Sequence, residues 1–255
     1  MMALETYSTI RRGGKTALVR TEWREGLESV LLDSAGRTAQ TGGGRAPVER
    51  FVFDGGRGVL KTYHRGGAMG RVVRESYLLV NRARRELRVL DFLYASGLPV
   101  PEPLGAMWVR RGPILRGALA TRELDAIDLI SAFKARGGLD SGLLKTAGRA
   151  IRALHDEGVF HADLNARNIL VSDAHAYVID FDNARHFSYL NQFQRACNLL
   201  RLRRSLQKNE IPGTVFEAIC SGYGIQSFPS WLDGIYRMKG ALSDLTRGRK
   251  HSHAS

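Results

Sequence analysis

The chain has 255 residues and a formal net charge of +13, because 38 Lys and Arg outnumber 25 Asp and Glu. Its hydrophobic fraction of 44% and charged fraction of 25% are ordinary for a folded protein, which excludes general disorder. No apolar run approaches the ~18 residues that span a bilayer, and residues 1–12 lack the apolar core of a secretory signal, so we expect neither feature. The positive excess predicts an anionic partner: a nucleic acid, a nucleotide or an acidic membrane surface.

Two features that suggest other chemistry are excluded by their spacing. Cys197 and Cys220 are too few for a disulfide framework and lack a C-x-x-C spacing, so we interpret both as core residues of a protein from a reducing cytoplasm. Residues 13–16, Gly-Gly-Lys-Thr, end like a P-loop, but that motif requires glycine at the position occupied by Thr9. We therefore expect neither redox chemistry nor a P-loop.

The first half of the chain is rich in strand patterns. Residues 1–36 show weak periodicity, whereas the following segments have β-rich runs around glycine turns, one helical repeat and three alternating prolines that force an extended chain. We predict a hairpin with strands over 50–53 and 59–63, a helix over 82–95, an extended segment over 98–103, and strands over 107–109 and 115–121.

The second half has mainly helical patterns. Apolar residues between positions 143 and 154 lie on one helix face, with Asp140 or Ser141 as its N-cap. We predict a short helix over 128–136, this longer helix, strands over 169–171 and 177–179, and helices from residue 191 onwards. The predicted fold class is therefore α+β and bilobal, with an N-lobe over 1–122, a helical C-lobe over 123–246 and a disordered tail over 247–255.

One segment of the predicted C-lobe carries chemistry. His161, Asp163 and Asn168 follow the long helix, and Asp180 follows the next strand pair. Phosphoryl transfer requires an in-line acceptor hydroxyl, a bound nucleotide and a metal ion that neutralises charge. Asp163 is placed to receive the acceptor proton, while Asn168 and Asp180 supply oxygen ligands for Mg²⁺.

This arrangement resembles the protein-kinase-like catalytic loop, H-x-D-x-x-x-x-N, followed by a D-F-x metal motif. The simpler interpretation is that these polar residues only form turns and caps, as loop Asp and Asn usually do. We favour the catalytic interpretation because the preceding helix and the following strands also agree with it. The predicted fold is therefore protein-kinase-like.

A kinase-like N-lobe should also supply groups that hold ATP. Lys61 ends a predicted strand and Glu86 lies in the helix that follows, which is the order required for a phosphate-binding lysine and its carboxylate partner. Gly43 and Gly44 lie upstream, where a glycine-rich loop covers the phosphates, although an ordinary flexible turn is an equal alternative. We predict these four residues as the nucleotide-binding set.

Longer stretches of the chain resemble the bacterial Kdo (3-deoxy-D-manno-octulosonic acid) kinases. The resemblance lies in residues 63–67, 98–103, 161–170, 179–182 and 198–208, which occur in this order and span about positions 42 to 208. Residues 162–165 and the Leu-Arg-Arg-Ser-Leu stretch are its most specific parts. Lys61-Thr62 and residues 183–185 differ from the family pattern.

The resemblance implies ATP-dependent phosphorylation of the 4-hydroxyl of Kdo on a lipid A precursor, with Mg²⁺ as cofactor. It places the protein peripherally on the cytoplasmic side of the inner membrane, in lipopolysaccharide core synthesis. It implies neither a nucleic-acid partner nor an obligate protein partner. Residues that we predict to contact the acceptor or the membrane are basic: Arg167, Arg185, Arg203 and Arg204.

Two other functions are compatible with parts of the sequence. A kinase of the same fold acting on another small molecule, such as an aminoglycoside, would use the same loop, but a cationic acceptor favours acidic residues around Asp163. A basic nucleic-acid-binding module would explain the charge, yet it leaves Asp163, Asn168 and Asp180 without a role. Salt-dependent binding of DNA without ATP turnover would favour that module.

Overall fold

The computed structural model describes residues 6–40, 48–63, 81–111 and 114–225. Gly43, Gly44, the predicted tail over 247–255 and most of the motif over 63–67 lie outside these residues. Within the described parts of the chain, the elements fall into a sheet-rich region followed by a mainly helical region.

The sheet-rich region contains an antiparallel sheet to which seven strands of the described residues contribute. In the sheet their order is β1-β2-β6-β7-β5-β4-β3, so the last three strands in sequence lie at the centre of the sheet. Their bounds are β1 (Tyr7–Arg12), β2 (Lys15–Arg20), β3 (Thr38–Gln40), β4 (Val48–Phe53), β5 (Gly56–Thr62), β6 (Pro103–Arg111) and β7 (Ile114–Arg122).

The hairpin of β1 and β2 occupies the stretch in which the sequence showed only weak periodicity. Gly13 and Gly14 connect the strands with φ angles of 57° and 75°. Positive φ at both central residues defines the type I′ turn, whose twist suits a two-residue hairpin. The Gly-Gly-Lys-Thr stretch is therefore a hairpin turn, in agreement with its exclusion as a P-loop.

Helices cover both faces of this sheet. The short helix α1 (Arg24–Glu28) packs with Leu27 against the face that carries Phe51 and Leu60. On the other face, α2 (Arg82–Ala95) packs against β6 and β7 and begins at Asn81, whose side chain accepts a hydrogen bond from the Arg84 amide at 3.0 Å. The predicted helix over 82–95 is thereby confirmed, and it presents Glu86 towards the sheet.

The helical region begins after β7, where Arg122 ends the large sheet. This region also contains two small sheets, of which one is formed by β8, β10 and β11 and the other by β9 and β12. The elements are β8 (Ile127–Asp128), α3 (Leu129–Arg136), α4 (Ser141–Asp156), β9 (Val159–Phe160), β10 (Ile169–Val171), β11 (Ala176–Val178), β12 (Arg185–His186), α5 (Gln192–Lys208) and α6 (Gly213–Tyr223).

The predicted helix ends agree with the observed caps. Asp128 caps α3 and Asp140 caps α4, each by accepting a hydrogen bond from a backbone amide at 3.1 Å. Asn191 begins α5 with a capping box, because its side chain and that of Gln194 each bind the other residue's amide. None of the described helices is long and apolar enough to cross a membrane.

Helices α4 and α6 contact each other through their backbones. A Cβ atom at Gly148 of α4 would overlap the carbonyl oxygen of Ile219, and one at Gly222 of α6 would overlap the carbonyl oxygen of Lys145. Glycine at both positions therefore permits an approach that any side chain would prevent.

The apolar core is continuous from the sheet into the helical region. It joins the inner faces of α2 and the sheet to those of α3, α4, α5 and α6, through residues such as Leu90, Leu129, Ile151 and Leu202. Cys220 is buried in this core, as predicted, while Cys197 is half-buried. The domain boundary at residues 122–123 stays a prediction.

Candidate active site

The loop between β9 and β10 carries the three residues that the sequence analysis singled out. It ends in a 3-10 turn over Ala166–Asn168, which Asn165 caps by accepting hydrogen bonds from the amides of Arg167 at 2.9 Å and Asn168 at 3.2 Å. The amide of Ile179 donates to the carbonyl oxygen of Asn168 at 3.0 Å. This contact brings Asn168 beside Asp180, although the two residues lie in different loops.

His161 supports this loop from inside the protein. Its Nδ1 accepts a hydrogen bond from the Asp163 amide at 3.3 Å, and its Nε2 donates to the carbonyl oxygen of Ile179 at 3.0 Å. Burial lowers the pKa of the imidazole, which favours the neutral ring that these two contacts require. The structure thus places His161 as a link between the two loops, beneath the site instead of in it.

Asp163 presents its carboxylate at the surface of the loop, with about 59% of the side chain exposed. Asn165 Nδ2 donates to its Oδ2 at 3.2 Å, and Asn168 Nδ2 donates to its main-chain oxygen at 2.9 Å. On the other side, Arg201 Nη1 of α5 lies 3.6 Å from Oδ1. The carboxylate is therefore oriented by neighbours yet accessible to a second molecule.

The predicted nucleotide-binding lysine meets two carboxylates from different parts of the chain. Lys61 Nζ of β5 lies 3.0 Å from Glu86 Oε2 of α2 and 2.6 Å from Asp180 Oδ1. Glu86 also accepts a hydrogen bond from the Phe181 amide at 3.0 Å. The structure therefore brings together the strand, the helix and the D-F-x motif, as the spacing predicted.

The electrostatics of this cluster follow from burial and charge. Burial lowers the pKa of Lys61, but the two carboxylates outweigh it and hold this pKa above its ordinary value. Burial raises the pKa of Asp180, but Lys61 outweighs burial and lowers it. Glu86 is 2% exposed, and burial keeps its pKa raised despite Lys61 and Tyr63. Lys61 and Asp180 are thus both charged at neutral pH.

Two contacts of this cluster had no signal in the sequence. Tyr63 donates a hydrogen bond to Glu86 Oε2, and the centroid of its ring lies 5.1 Å from Lys61 Nζ and 5.3 Å from the guanidinium carbon of Arg82. Arg82 donates to the buried carboxylate of Asp182 through Nε at 2.8 Å and also through Nη2. Asp182, which replaces the glycine of a D-F-G motif, therefore ties α2 to the metal motif.

A cleft of about 420 Å³ lies between the sheet and the catalytic loop. Val59 and Leu119 form part of its apolar wall on the sheet side, with Leu170 and Ile179 opposite. The polar residues along it include Lys61, Glu86, Asn165, Arg167, Asn168 and Asp180. A mainly apolar cavity of this size with a charged end is suited to a nucleotide, with the base between the walls and the phosphates at the lysine.

The donor set also fits a magnesium ion. Asn168 donates a hydrogen bond from its Nδ2 to the Asp163 carbonyl oxygen, so its Oδ1 remains available to coordinate a metal ion. Asp180 offers a carboxylate nearby, because the preceding residue, Ile179, is hydrogen-bonded to the backbone of Asn168. Within the described residues, no group of three or more His, Cys, Asp or Glu gathers into a metal cluster. A site of one carboxylate and one amide suits Mg²⁺, which takes its remaining ligands from water and substrate phosphates.

The start of the catalytic loop is attached to a buried polar network. Asn198 Oδ1 of α5 accepts hydrogen bonds from the His161 amide at 3.0 Å and from His155 Nε2 at 3.1 Å. His155 Nδ1 in turn accepts from the Tyr223 hydroxyl at 2.8 Å. Burial lowers the pKa of His155 to about 4, so the ring is neutral at neutral pH. The network joins α4, α5 and α6 to the loop.

The four predicted acceptor or membrane contacts have different surroundings. Arg167 lines the cleft and donates to Asn209 at 3.5 Å, whereas Arg185 is exposed on β12, opposite the residue that precedes His161. Arg203 is half-buried with its guanidinium 5.8 Å from the ring of Phe216, and Arg204 is also half-buried. Their roles stay predictions, whereas Arg201, which was not among the predicted contacts, lies 3.6 Å from the Asp163 carboxylate.

Comparisons with known proteins agree with this geometry. A family model described as the lipopolysaccharide kinase (Kdo/WaaP) family matches residues 31–223. The chain is 34% identical over 194 residues to the 3-deoxy-D-manno-octulosonic acid kinase of Xylella fastidiosa (strain M23). This match covers 72% of this chain and 77% of the relative. It is 32% identical over 176 residues to the protein of that name from Photobacterium profundum, with coverages of 64% and 73%.

A solved structure of WaaP in complex with acyl carrier protein shares the fold. Its TM-score is 0.54 at 18% sequence identity, and the match covers 89% of this chain and 92% of that chain. The predicted α+β, bilobal kinase-like fold is therefore confirmed. Because the family model spans strands β3 to β7, α2 and the whole catalytic region, this chain belongs to the lipopolysaccharide kinase (Kdo/WaaP) family and is a kinase-type phosphotransferase.

Proposed function

We propose that the protein transfers the γ-phosphoryl group of ATP to the 4-hydroxyl of Kdo on a lipid A precursor. The observation that carries this proposal is the meeting of Lys61, Glu86 and Asp180 at the end of a cleft whose other wall is the loop of Asp163. That arrangement supports the roles proposed for Lys61 as the phosphate-binding cation and for Asp163 as the proton acceptor.

The residues divide the work of phosphoryl transfer between them. Lys61 binds the α- and β-phosphates, and Glu86 holds the lysine in place. Asn168 and Asp180 hold Mg²⁺, which neutralises phosphate charge when bound. Asp163 accepts the proton of the acceptor hydroxyl while the hydroxyl oxygen forms the new bond to the γ-phosphorus. The bond between this phosphorus and the β–γ bridging oxygen breaks, and ADP leaves with its electrons.

The acceptor is proposed from the relatives and from the charge. The relatives named above are Kdo kinases, and Kdo on a lipid A precursor is an anionic, membrane-bound acceptor. The net charge of +13 suits both that acceptor and the anionic surface of the inner membrane, on whose cytoplasmic side we place the protein peripherally.

A cationic acceptor such as an aminoglycoside is less suited to this site. Among the described residues, the charged group that contacts the Asp163 carboxylate is the guanidinium of Arg201. A cationic acceptor would meet repulsion there, whereas an acidic sugar would meet attraction. We therefore place the acidic sugar first.

Labelled-phosphate transfer from ATP tests the proposal. The purified protein receives a Kdo-bearing lipid A precursor, an aminoglycoside and a generic protein substrate in parallel, with and without Mg²⁺. We expect ATP- and Mg²⁺-dependent labelling of the Kdo acceptor, and a phosphate on its 4-hydroxyl by NMR. Labelling of the aminoglycoside or the protein instead, or of another hydroxyl, would overturn the corresponding part of the proposal.

A further inference from the structure

Helix α5 follows the catalytic loop with one of its faces. Asn198, Ser205 and Asn209 are spaced by seven and four residues, so they lie on the same side of the helix. Each contacts the loop: Asn198 accepts from the His161 amide at 3.0 Å, Ser205 Oγ accepts from the Ala166 amide at 3.1 Å, and Asn209 Oδ1 accepts from Arg167 at 3.5 Å. This face holds the loop by neutral hydrogen-bond acceptors.

Arg201 lies on the same face, between Asn198 and Ser205, but it differs from them in charge, in exposure and in the group of the loop that it contacts. It is charged, about 52% of its side chain is exposed, and it approaches the carboxylate of Asp163 instead of a buried amide. Its 3.6 Å separation from Oδ1 is longer than a hydrogen bond. Exposed ion pairs of this kind contribute little to stability, so Arg201 adds little to holding the loop.

A guanidinium at this place is suited to binding a second anion. Arginine binds a carboxylate through two parallel hydrogen bonds, and such charge-assisted contacts are stronger than a long, solvated ion pair. In Kdo, the ring carbon that carries the carboxylate and the one that carries the 4-hydroxyl are separated by a single methylene. An acceptor whose hydroxyl contacts Asp163 therefore has its carboxylate within reach of Arg201, which lies 3.6 Å from the Asp163 carboxylate.

We propose that Arg201 is a specificity-determining residue that binds the carboxylate of the acidic sugar acceptor while Asp163 receives the proton of its hydroxyl. This inference rests on the proposed function. It assigns a role to a residue outside the predicted set of acceptor arginines, and it explains why one polar position on the loop-facing side of α5 is cationic.

The test compares Arg201→Gln and Arg201→Lys with two reference variants. Arg149→Gln removes an exposed arginine of α4 that donates to Thr146, and it should leave both substrates' KM values unchanged. Ser205→Ala removes a loop contact on the same face of α5, and it should lower kcat without favouring any acceptor. For Arg201→Gln we expect the KM for the Kdo acceptor to rise about tenfold to a hundredfold, with the KM for ATP unchanged. Arg201→Lys should recover part of that loss.

A modified acceptor identifies the group that Arg201 binds. With the methyl ester of the Kdo carboxylate, the wild type and Arg201→Gln should have the same KM. An equal loss on the acid and the ester would show that Arg201 only positions the loop, and would overturn the inference. If the penalty instead disappears with an acceptor lacking the lipid phosphates, the bound anion is a phosphate and the assignment to the carboxylate is wrong.

Direct binding separates this inference from the proposed function. Titration of the free acid Kdo into Asp163→Asn protein, and into the same protein with Arg201→Gln, measures the contact without turnover. If the wild type phosphorylates no Kdo acceptor yet the free acid binds in an Arg201-dependent way, the proposed function fails and the binding site stands. Equal binding to both proteins would overturn the binding site.

Discussion

The two walls of the cleft hold their functional groups by different means. On the sheet side, Lys61 and Glu86 are held by opposite charges, Asp180 reaches Lys61 from the helical side, and Arg82 with Asp182 adds a second ion pair. On the helical side, the catalytic loop is held by neutral hydrogen bonds that its backbone amides donate to Asn165, Asn198 and Ser205. The carboxylate of Asp163 differs from these groups because it is charged and exposed.

The difference follows from what each wall has to do. Nucleotide phosphates carry several negative charges, so a wall that binds them needs a cation whose own partners keep it in place. A proton acceptor needs a fixed position and a carboxylate that the acceptor hydroxyl can reach. Neutral contacts to the backbone fix the loop and leave that carboxylate accessible. Substitutions on each wall should therefore change different kinetic parameters.

The largest effect is expected from Asp180→Ala. The carboxylate supplies a Mg²⁺ ligand and a partner of Lys61, so its loss should abolish Mg²⁺-dependent nucleotide binding. Titration of nucleotide with and without Mg²⁺ measures this. Asp173→Ala, at an aspartate whose side chain is 96% exposed, is the control and should bind as the wild type does. Unchanged binding by Asp180→Ala would move the metal site elsewhere.

The next effect is expected from Asp163→Asn in the catalytic loop. The variant keeps the shape of the side chain but loses the proton acceptor, so transfer should fall by at least ~10²-fold while nucleotide binding persists. Turnover measured together with the nucleotide Kd checks both parts. A turnover close to that of the wild type, or a parallel loss of nucleotide binding, would contradict the assigned role and the separation of the two walls.

A smaller effect concerns the pH dependence of stability. His155 faces the Tyr223 hydroxyl and Asn198, with Asp156, Arg195 and His161 nearby, and its pKa is about 4 in the fold against an ordinary 6.5. As the pH falls below 6.5 the unfolded chain binds this proton first, so the free energy of unfolding decreases until the pH reaches the folded pKa. Between pH 7 and pH 5 this contribution is about 2 kcal/mol.

Replacement of this histidine should therefore flatten the acid side of the stability profile. Urea unfolding of His155→Gln at pH 7 and pH 5 should show a smaller decrease than in the wild type. Part of the decrease should persist, because burial also lowers the pKa of His161. His175→Gln, at an exposed histidine, should keep the full decrease. An equal decrease in His155→Gln would show that this network does not carry the acid sensitivity.

The last effect is expected at two half-buried arginines of α5. Replacing both Arg203 and Arg204 with Gln should weaken binding to anionic vesicles about thirtyfold at low salt and raise the KM for lipid acceptor, since each basic residue near such a surface contributes about 1 kcal/mol. The KM for ATP should not change. Equal charge removal at the exposed Arg11 and Arg116 of the sheet region is the control. Vesicle binding that responds equally to both pairs would reflect net charge alone.

The sequence predicted those parts of the site that depend on local spacing. Asp163, Asn168 and Asp180 lie within 18 positions of one another, and the strands between them were readable from their apolar runs. Lys61 and Glu86 followed from their order once the loop was interpreted. Arg82 with Asp182, which lie 100 positions apart, belong to no local pattern, so that only the packing of α2 revealed their pairing.

Other differences have equally specific reasons. The hairpin of β1 and β2 carried one local signal, because two adjacent glycines are typical of a type I′ turn, whereas the periodicity of the residues around them was too weak to predict the strands. Arg201 was part of a basic, leucine-rich stretch, and helical periodicity alone does not tell which arginine of such a stretch faces a neighbouring loop. His155 and Asn198 lie 43 positions apart and meet only because α4 and α5 pack together.

The backbone contact between α4 and α6 has a consequence for how this enzyme tolerates sequence drift. Gly148 is seven residues before His155, and Gly222 immediately precedes Tyr223, so the gap between the two side chains is set by touching main chains. Packed side chains absorb a change by adopting other rotamers, whereas two backbones in contact cannot. Neither glycine lines the cleft. A larger residue at either position would nevertheless push the two helices apart and so displace the hydrogen bonds that hold the catalytic loop.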